Sequence, residues 1–228
     1  MSAFLFDLDG TLLDSLEDIG NACNTVLSQN GYPTHSMQDF RMLVGRGFDH
    51  LMRNALPAAT ADSLAPQELA RLTDAARAHY SQHMCQCTRP YEGITEALAE
   101  LATLGEAIAV LSNKPDEMTV SLVRHYFPSV PFALVQGARQ GVPLKPSPAA
   151  PLDMLRILAV PPDQAFYVGD SDVDIFTARN AGMTSVGVAW GFRGEGELRA
   201  AHADHIAKKP QHIVTLAQNR LCLPPQNA

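Results

Sequence analysis

The chain has 228 residues, of which 46% are hydrophobic, so we expect one large domain or two small ones with a substantial core. Its formal net charge of −7 argues against nucleic acid or an anionic membrane as the main partner. If the substrate is an anion, the binding site must supply its own positive charge. A divalent cation and a few placed Lys or Arg side chains would do so.

The cysteines and the amino terminus bear on the cellular compartment. The chain has four cysteines, and their spacing is not that of a disulfide framework. They are Cys23, Cys85, Cys87 and Cys222. A Cys-x-Cys pair near His79 and His83 is a poor match to zinc-site spacing, so we expect free thiols in a reducing cytoplasm. The first apolar stretch ends at Asp7, and we expect neither a signal peptide nor a membrane span.

In chain order, the first predicted element is a strand over Ala3–Phe6 that ends on two carboxylates. Such an unbroken apolar run suits a strand buried on both faces of a parallel sheet. Asp7 and Asp9 are two positions apart, so in an extended chain their side chains project the same way. Gly10 permits a sharp turn and Thr11 adds a hydroxyl. Together they predict a cradle for a metal ion and an anion at the carboxyl edge of the sheet.

The next part of the chain predicts only helices. Asp14 and Ser15 are expected to cap the first helix, which ends at Asn30-Gly31. Further helices are predicted after Ser36, over Phe48–Leu56 and from Pro66. We predict no strand between residues 15 and 88.

After a predicted hinge at Arg89–Gly93, the pattern alternates between strands and helices. Strands are predicted over Ala107–Leu111, Phe132–Val135, Ala165–Val168 and Thr184–Val188, with a short one near Ile206. Helices are predicted around 98–104, over Asp116–Phe127, Ser147–Ala159 and Asp172–Ala181, and around Ile213-Val214. This βα repetition predicts an α/β fold with a doubly wound parallel sheet.

The lone first strand predicts a discontinuous core. Residues 1–14 and 91–228 would form an α/β catalytic core, and residues 15–90 a helical domain inserted after the first strand. An insertion at the carboxyl end of a strand lies over the ligand edge, so it would act as a cap. Its hinges are expected near Leu13-Asp14 and Arg89–Gly93.

Polar residues recur where other predicted strands end. Ser112, Asn113 and Lys114 follow the 107–111 strand, Gly169–Asp174 follows the 165–168 strand, and Lys145 lies in a loop on the same edge. Because the carboxyl ends of parallel strands share one edge, these residues should converge with the two carboxylates of the first strand.

These segments resemble the four motifs of the haloacid dehalogenase-like hydrolase superfamily, in order, over nearly the whole chain. Asp7–Thr11 is similar to the first motif, Ser112 to the second, Lys145 to the third and Gly169–Asp174 to the fourth. The helical insertion is similar to the C1 cap of that superfamily. Within it, the chain looks most like phosphoglycolate phosphatases, on the following segments: Asp14–Asn24, Val44–Gly47, Pro90–Gly93, Ser112–Pro115, Asn180–Met183 and Trp190-Gly191.

The resemblance implies a Mg²⁺-dependent phosphomonoester hydrolase, most similar to those acting on 2-phosphoglycolate. Asp7 would be the nucleophile that forms an aspartyl-phosphate. Asp9 would be the general acid towards the leaving oxygen and then the base towards water. The Mg²⁺ ligands would be Asp7, the backbone oxygen of Asp9, and Asp170.

The same resemblance assigns supporting roles. Ser112, Asn113 and Lys145 would bind the phosphoryl oxygens. Thr11 would support the loop by hydrogen bonding, and Asp174 would orient Lys145 or a metal-bound water.

Some positions have a structural interpretation as well. Asp172 is interpreted as a helix N-cap rather than a metal ligand. Asn113 either contacts substrate or closes a turn. Arg46, between two glycines of the cap, either reaches a substrate carboxylate or is a solvated loop residue, and Lys114 is open in the same way.

Other functions stay open. The nearest alternative is another enzyme of the superfamily: a sugar-phosphate phosphatase, a pyrophosphatase or an isomerase resembling β-phosphoglucomutase. Asp9 argues against the dehalogenase and phosphonatase branches, which lack that acid. A receiver-type phospho-aspartate signalling module is more distant, since it has no inserted cap and takes the phosphate after a later strand.

The expected partner is a small phosphorylated metabolite, and we expect neither nucleic acid nor a membrane as a partner. The oligomeric state stays open between monomer and homodimer.

Overall fold

The computed structural model describes residues 2–221 and has a six-stranded parallel sheet at its centre. The strands, in chain order, are β1 (Ala3–Phe6), β2 (Leu13–Asp14), β3 (Arg89–Pro90), β4 (Ala107–Pro115), β5 (Leu134–Ala138), β6 (Ala165–Gly169), β7 (Thr184–Val188) and β8 (His205–Ala207). The sheet order is β5-β4-β1-β6-β7-β8, and every neighbouring pair is parallel. This confirms the predicted fold class.

Helices cover both faces of this sheet and fill the segment between β2 and β3. They are α1 (Leu16–Gln29), α2 (Met37–Leu43), α3 (Phe48–Ala55), α4 (Ala58–Ser63), α5 (Pro66–His83), α6 (Ile94–Thr103), α7 (Asp116–Tyr126), α8 (Ala149–Leu158), α9 (Asp172–Ala181), α10 (Gly194–Ala200) and α11 (Gln211–Leu221). A 3₁₀ turn at Pro162–Gln164 precedes β6. No helix in this described range is long and apolar enough to cross a bilayer.

The central strand β1 is buried on both faces, as its apolar sequence predicts. Phe4 and Phe6 face a core cluster that includes residues of α6, α7 and α11, whereas Ala3 and Leu5 face a second cluster with α8 and α9. Side chains alternate between the faces because a strand has a period of two residues. The chain builds β4 and β5 on one side of β1 and β6 to β8 on the other. The direction of winding therefore reverses beside β1, where α/β sheets open a crevice for ligands.

The five helices α1 to α5 bury a separate apolar cluster, to which Phe192 from the other part of the chain contributes. The two predicted hinge segments pair with each other: β2 and β3 form a short antiparallel ladder, with Leu13 opposite Pro90 and Asp14 opposite Arg89. Both chain connections between the predicted cap and the predicted core pass through this ladder. The division into 1–14 with 91–228 and an inserted 15–90 domain stays our proposal.

Several element boundaries differ from the prediction. The strand predicted to end at Leu111 continues to Pro115, because its polar residues are buried instead of forming a surface loop. The strand predicted over 132–135 spans 134–138, where the Gly137 N–H donates to the Asp116 carboxylate at 2.8 Å. Helices α4 and α10 were not predicted. Two glycines, Gly194 and Gly196, lower the helix propensity of the α10 segment, so its sequence does not predict a helix. The helix forms because Leu198 is fully buried against Gly187 of β7, which has no side chain to block it.

The cysteines within the described range agree with the prediction of free thiols. Cys23 is buried, Cys87 is half-buried and Cys85 is exposed. Cys222 lies outside the described residues.

Candidate active site

The carboxyl ends of β1, β4 and β6 bring the predicted polar residues to one place. Asp7 directly follows β1, and its backbone N–H donates to the Val168 carbonyl of β6 at 2.9 Å. Ser112, Asn113 and Lys114 lie on the carboxyl end of β4. Asp170 follows β6 directly. The convergence expected from parallel topology is therefore present.

Two glycine backbones enclose Asp170. Gly10 has a φ of +78°, and a Cβ there would collide with the Asp170 carboxylate. A Cβ at Gly191 would collide with the same side chain from the other side. The Phe192 N–H then donates to Asp170 Oδ2 at 2.7 Å. These contacts fix one orientation of a buried carboxylate, as a metal ligand requires.

Three buried carboxylates lie together beside Asp7. Asp7, Asp170 and Asp174 each offer an oxygen, and these oxygens lie within 4.8 Å of one another. Burial, partly opposed by Lys145, raises the pKa of Asp7 to about 7. Burial and the neighbouring Asp174 and Asp7 also raise the pKa of Asp170 well above its ordinary range. The cluster therefore holds more negative charge than its surroundings balance.

One buried ammonium group faces this cluster. Lys145 Nζ lies 2.9 Å from Asp7 Oδ1 and 2.7 Å from Asp174 Oδ1. Asp174 Oδ2 in turn accepts bonds from the Ser171 N–H at 3.1 Å and hydroxyl at 2.8 Å. The predicted contact between Asp174 and Lys145 is thus present, and protein donors occupy both Asp174 oxygens. A divalent cation bound by Asp7 and Asp170 fits an all-oxygen donor set with this excess negative charge.

Asp9 lies in a different environment, although only two positions separate it from Asp7. Its Oδ1 accepts a bond from the Ser15 hydroxyl at 2.5 Å, and its Oδ2 pairs with Lys114 Nζ at 3.0 Å. Ser15 stands at the N-cap position of α1, as predicted, but its side chain makes no capping bond. The side chain serves Asp9 instead. The two carboxylates of the first motif therefore have separate partners.

Lys114, whose role the sequence left open, is buried at this point. Its Nζ donates to the Tyr80 hydroxyl at 2.9 Å and lies 4.2 Å from the centre of the Tyr80 ring. Burial alone would lower the pKa of Lys114, but Asp9 and Tyr80 reverse this and raise it above its ordinary value. Lys114 therefore carries a positive charge that bridges the Asp9 carboxylate and helix α5.

The Asn113 amide is engaged with backbone groups. Its Oδ1 accepts from the Lys145 N–H at 2.8 Å, and its Nδ2 donates to the carbonyls of Gly45 at 3.1 Å and Lys145 at 3.2 Å. These bonds join the carboxyl end of β4 to two distant loops, at Gly45 and at Lys145, so the side chain does not close a local turn. A phosphate contact from Asn113 stays a prediction. Ser112 is buried and lines the cavity beside Asp7, so it is available for such a contact.

Two further positions, Asp172 and Thr11, differ from their predicted roles. Ser171, not Asp172, is the N-cap of α9, where it forms a capping box with Asp174. Asp172 instead pairs with Arg46 at 2.8 Å, and this pair draws the Arg46 side chain to the surface. The Thr11 hydroxyl is buried with no protein partner in the described range, so it does not support the loop by hydrogen bonding. The Thr11 carbonyl does so instead, accepting from Trp190 Nε1 at 3.1 Å.

A small cavity joins these groups to the inserted helices. It has a volume of about 30 Å³. It is lined by Asp7, Asp9, Ile19, Val44, Gly45, Gly47, Phe48, Leu51, Ser112, Asn113 and Lys114. This is room for about one water molecule, so we expect a phosphate ester to enter from an arrangement in which these helices lie further from the sheet.

Comparison with known proteins agrees with this arrangement. Residues 4–188 match the family described as haloacid dehalogenase-like hydrolase, which is most of the chain. The chain belongs to the haloacid dehalogenase-like hydrolase family. The family resemblance predicted from the four motifs is confirmed.

Relatives of this haloacid dehalogenase-like hydrolase carry a more specific name. A phosphoglycolate phosphatase of Aquifex aeolicus is 30% identical over 221 residues, covering 97% of this chain and 99% of the relative. A phosphoglycolate phosphatase of Pseudomonas savastanoi is 34% identical over 190 residues, covering 82% and 69%. The crystal structure of a predicted phosphoglycolate phosphatase from Haemophilus somnus superposes with a TM-score of 0.88 at 27% identity, covering 96% and 98%.

Sequence reasoning missed three residues around the site of this hydrolase. Tyr80 lies in the helix predicted from Pro66, and its hydroxyl contacts Lys114. Phe192 and Arg193 follow the Trp190-Gly191 segment: Phe192 packs into the cluster of inserted helices, and the Arg193 guanidinium donates to the carbonyls of Met42 at 2.8 Å and Val44 at 3.0 Å. No local pattern could have found them, because each contact joins distant parts of the chain.

Proposed function

We propose that this chain is a phosphomonoester hydrolase that converts 2-phosphoglycolate and water to glycolate and phosphate. The observation that carries the proposal is the separation of Asp7 from Asp9. One carboxylate belongs to a buried cluster with Lys145 and Asp170, and the other lies between Ser15 and Lys114. Two nearby acids in different surroundings are suited to two different chemical roles. The choice of substrate is supported by the names of the two relatives above.

In the proposed reaction, a carboxylate oxygen of Asp7 attacks phosphorus and the bond from phosphorus to the ester oxygen breaks. Asp9 pairs with Lys114 in the structure, so it must take up a proton before this step. It then transfers that proton to the ester oxygen, which leaves as the hydroxyl of glycolate. An aspartyl-phosphate on Asp7 results. Asp9, now ionised, removes a proton from water, whose oxygen attacks phosphorus and releases phosphate. Asp7 is regenerated, and Asp9 is again protonated.

Other side chains would hold the reacting groups. Lys145, fixed between Asp7 and Asp174, keeps a positive charge beside the transferred phosphoryl group and favours the ionised form of Asp7. The Ser112 hydroxyl would donate to a phosphoryl oxygen. Mg²⁺ held by Asp7, Asp170 and the backbone oxygen of Asp9 would neutralise charge between the nucleophile and the phosphate.

The inserted helices would close over the substrate and exclude bulk water during the first step. Arg46 and Asp172 link the two sides in the closed arrangement, and the β2–β3 ladder would act as the hinge. The free thiols support our expectation of a reducing, cytoplasmic compartment.

A phosphatase panel tests this proposal. Purified protein with Mg²⁺ is assayed for phosphate release from 2-phosphoglycolate, hexose phosphates, nucleotides and pyrophosphate, and for isomerisation of β-glucose 1-phosphate. We expect kcat/KM to be highest for 2-phosphoglycolate and activity to be lost in EDTA. A kcat/KM for 2-phosphoglycolate no better than for the other esters would defeat the substrate assignment. A single stoichiometric phosphorylation without turnover would defeat the assignment as a hydrolase.

A further inference from the structure

Lys114 is a buried cation in the wall of the active-site cavity. Its side chain is only 2% exposed. Among the described residues that line the cavity, Lys114 is the one with a positively charged side chain. The cavity lining also includes four apolar side chains, those of Ile19, Val44, Phe48 and Leu51. A charge buried this deeply is costly unless it is paired or meets a charged ligand.

The protein does not use all of the hydrogen-bonding capacity of Lys114. An ammonium group has three N–H donors. Asp9 and Tyr80 take one each, at 3.0 Å and 2.9 Å. Within the described residues, this leaves one donor for a ligand in the cavity.

The position of Lys114 beside Asp9 favours a contact with the leaving group over one with the phosphate. Asp9 is the proposed proton donor to the leaving oxygen, and its Oδ2 is in contact with Lys114 Nζ. An oxygen hydrogen-bonded to that carboxylate atom lies within roughly 6 Å of Nζ. In 2-phosphoglycolate the carboxylate is one methylene group away from the ester oxygen and extends about 3 Å from it. Pointed towards Lys114 Nζ, it reduces the remaining distance to that of a hydrogen bond.

Arg46 was the alternative cation for this role, and its position is less suitable. Its side chain is 42% exposed, pairs with Asp172 and does not line the cavity. It therefore lies at the rim in the closed arrangement, whereas Lys114 is inside.

We propose that Lys114 is a specificity-determining residue that binds a carboxylate on the leaving alcohol of the substrate. This inference rests on the proposed function, since it explains how an enzyme for 2-phosphoglycolate distinguishes that ester from a neutral ester of the same shape. Phe48 and Tyr80 surround the ammonium group with aromatic rings and limit its hydration, which strengthens its interaction with an anion.

The test compares two matched substrates: 2-phosphoglycolate and its primary amide, which has nearly the same shape but no carboxylate charge. For the wild type and for Lys114→Gln and Lys114→Met, the ratio of kcat/KM for the acid to that for the amide is measured. Effects on Asp9, on the cap or on the folded fraction apply to both substrates and cancel in this ratio. We expect the ratio to fall by about 10- to 100-fold in both variants, as for loss of a charged hydrogen bond.

Two further variants serve as controls. Lys114→Arg keeps the charge and should retain more of the ratio than Lys114→Gln. Arg46→Met removes the cation at the rim, and we expect its ratio to stay within about threefold of the wild type, as for an exposed ion pair. An unchanged ratio in both neutral Lys114 variants overturns the inference. A fall confined to Arg46→Met would assign carboxylate recognition to Arg46 instead.

The outcomes separate this inference from the proposed function. If the wild type prefers the acid and the neutral Lys114 variants keep that preference, only the role of Lys114 fails. If the wild type hydrolyses the acid no faster than the amide, the substrate assignment fails, and carboxylate recognition by Lys114 fails with it.

Discussion

At the scale of single residues, the two carboxylates of the first motif differ in their partners. Asp7 contacts Lys145 and lies with Asp170, whereas Asp9 contacts Ser15 and Lys114. Proteins separate the protonation states of neighbouring acids through such differences in burial and charge. Each carboxylate therefore gives a distinct kinetic prediction.

Asp9→Asn should slow the second half of the reaction more visibly than the first when p-nitrophenyl phosphate is the substrate. The p-nitrophenolate group leaves without a proton, so formation of the aspartyl-phosphate needs no acid, but its hydrolysis still needs a base. We expect a burst of about one p-nitrophenolate per enzyme, followed by turnover about 10²- to 10⁴-fold slower than the wild type. Rapid-quench or stopped-flow absorbance measures the burst.

Asp7→Asn provides the control for that experiment, because it lacks the proposed nucleophile. It should show neither burst nor turnover while its circular dichroism spectrum stays that of the wild type. A burst in Asp7→Asn would mean that another group accepts the phosphoryl group.

The raised pKa of Asp7 predicts a pH dependence of stability in metal-free protein. Burial, opposed by Lys145, raises this pKa to about 7 in the folded state, against about 3.9 when unfolded. Between these values the folded state binds more protons, so the free energy of unfolding should fall as pH rises from about 4 to about 7. Urea denaturation in EDTA should show this fall, and Asp7→Asn should show a smaller one.

Added Mg²⁺ should stabilise the wild type more at pH 7.5 than at pH 5, because protonated carboxyl groups do not bind cations. Equal stabilisation at the two pH values would argue against a carboxylate metal site.

At the scale of the elements, a buried carboxylate in α1 fixes the segment that leads into β3. Asp18 accepts hydrogen bonds from the N–H of Cys87 at 3.0 Å, and from the N–H of Thr88 at 2.9 Å and its hydroxyl at 2.7 Å. The Tyr126 hydroxyl donates to the Thr88 carbonyl at 3.0 Å from the other side. One of the two proposed hinges is therefore anchored to both parts of the molecule.

Asp18→Asn should destabilise the protein by about 2 kcal/mol, because an amide is a weaker acceptor and brings its own donors towards those N–H groups. Its exposed neighbour offers a matched control: Glu17→Gln should change the free energy of unfolding by less than about 0.5 kcal/mol. Urea denaturation of the two variants tests this difference. Equal effects would show that the contacts of Asp18 contribute no more than a surface charge does.

At the scale of the whole molecule, the small size of the cavity leads us to expect motion of the inserted helices. Its volume of about 30 Å³ is small for a phosphate ester, so we expect binding to begin from an arrangement in which the inserted helices have moved away. The segment at Trp190–Arg193 links the two sides: Phe192 bonds to Asp170 through its N–H and packs among the inserted helices through its ring. We therefore expect closure of the inserted helices to affect the orientation of Asp170.

The single tryptophan of the chain reports on this closure. Trp190 is half-buried, donates to the Thr11 carbonyl and contacts the Tyr91 ring near the second hinge. Titration of Asp7→Asn, which cannot turn over, with 2-phosphoglycolate and Mg²⁺ should shift the Trp190 emission to shorter wavelength as water is excluded. The same titration with glycolate alone is the control. No spectral change despite binding measured by calorimetry would show that Trp190 does not sense closure.

Much of the fold follows from local patterns. The alternation of apolar strands and amphipathic helices predicted the parallel sheet. The two carboxylates and the glycine within Asp7–Thr11 are recognisable in the sequence without knowledge of any distant contact. Asp7, Asp170 and Lys145 were likewise predictable, because parallel strands bring their carboxyl ends to one edge whatever the details of packing. Elements without a local signal, such as α10, were missed because burial of Leu198 against β7 stabilises them.

The partner of each polar group was decided by tertiary structure alone. Lys114 had two equal interpretations in the sequence, and its contacts with Asp9 and Tyr80 exist only because β1, β4 and α5 meet at the cavity. Arg46 could equally have faced the substrate, but Asp172 at the start of α9 draws it to the rim. Electrostatic contacts act over a few ångströms, and sequence separation says little about which charges come that close.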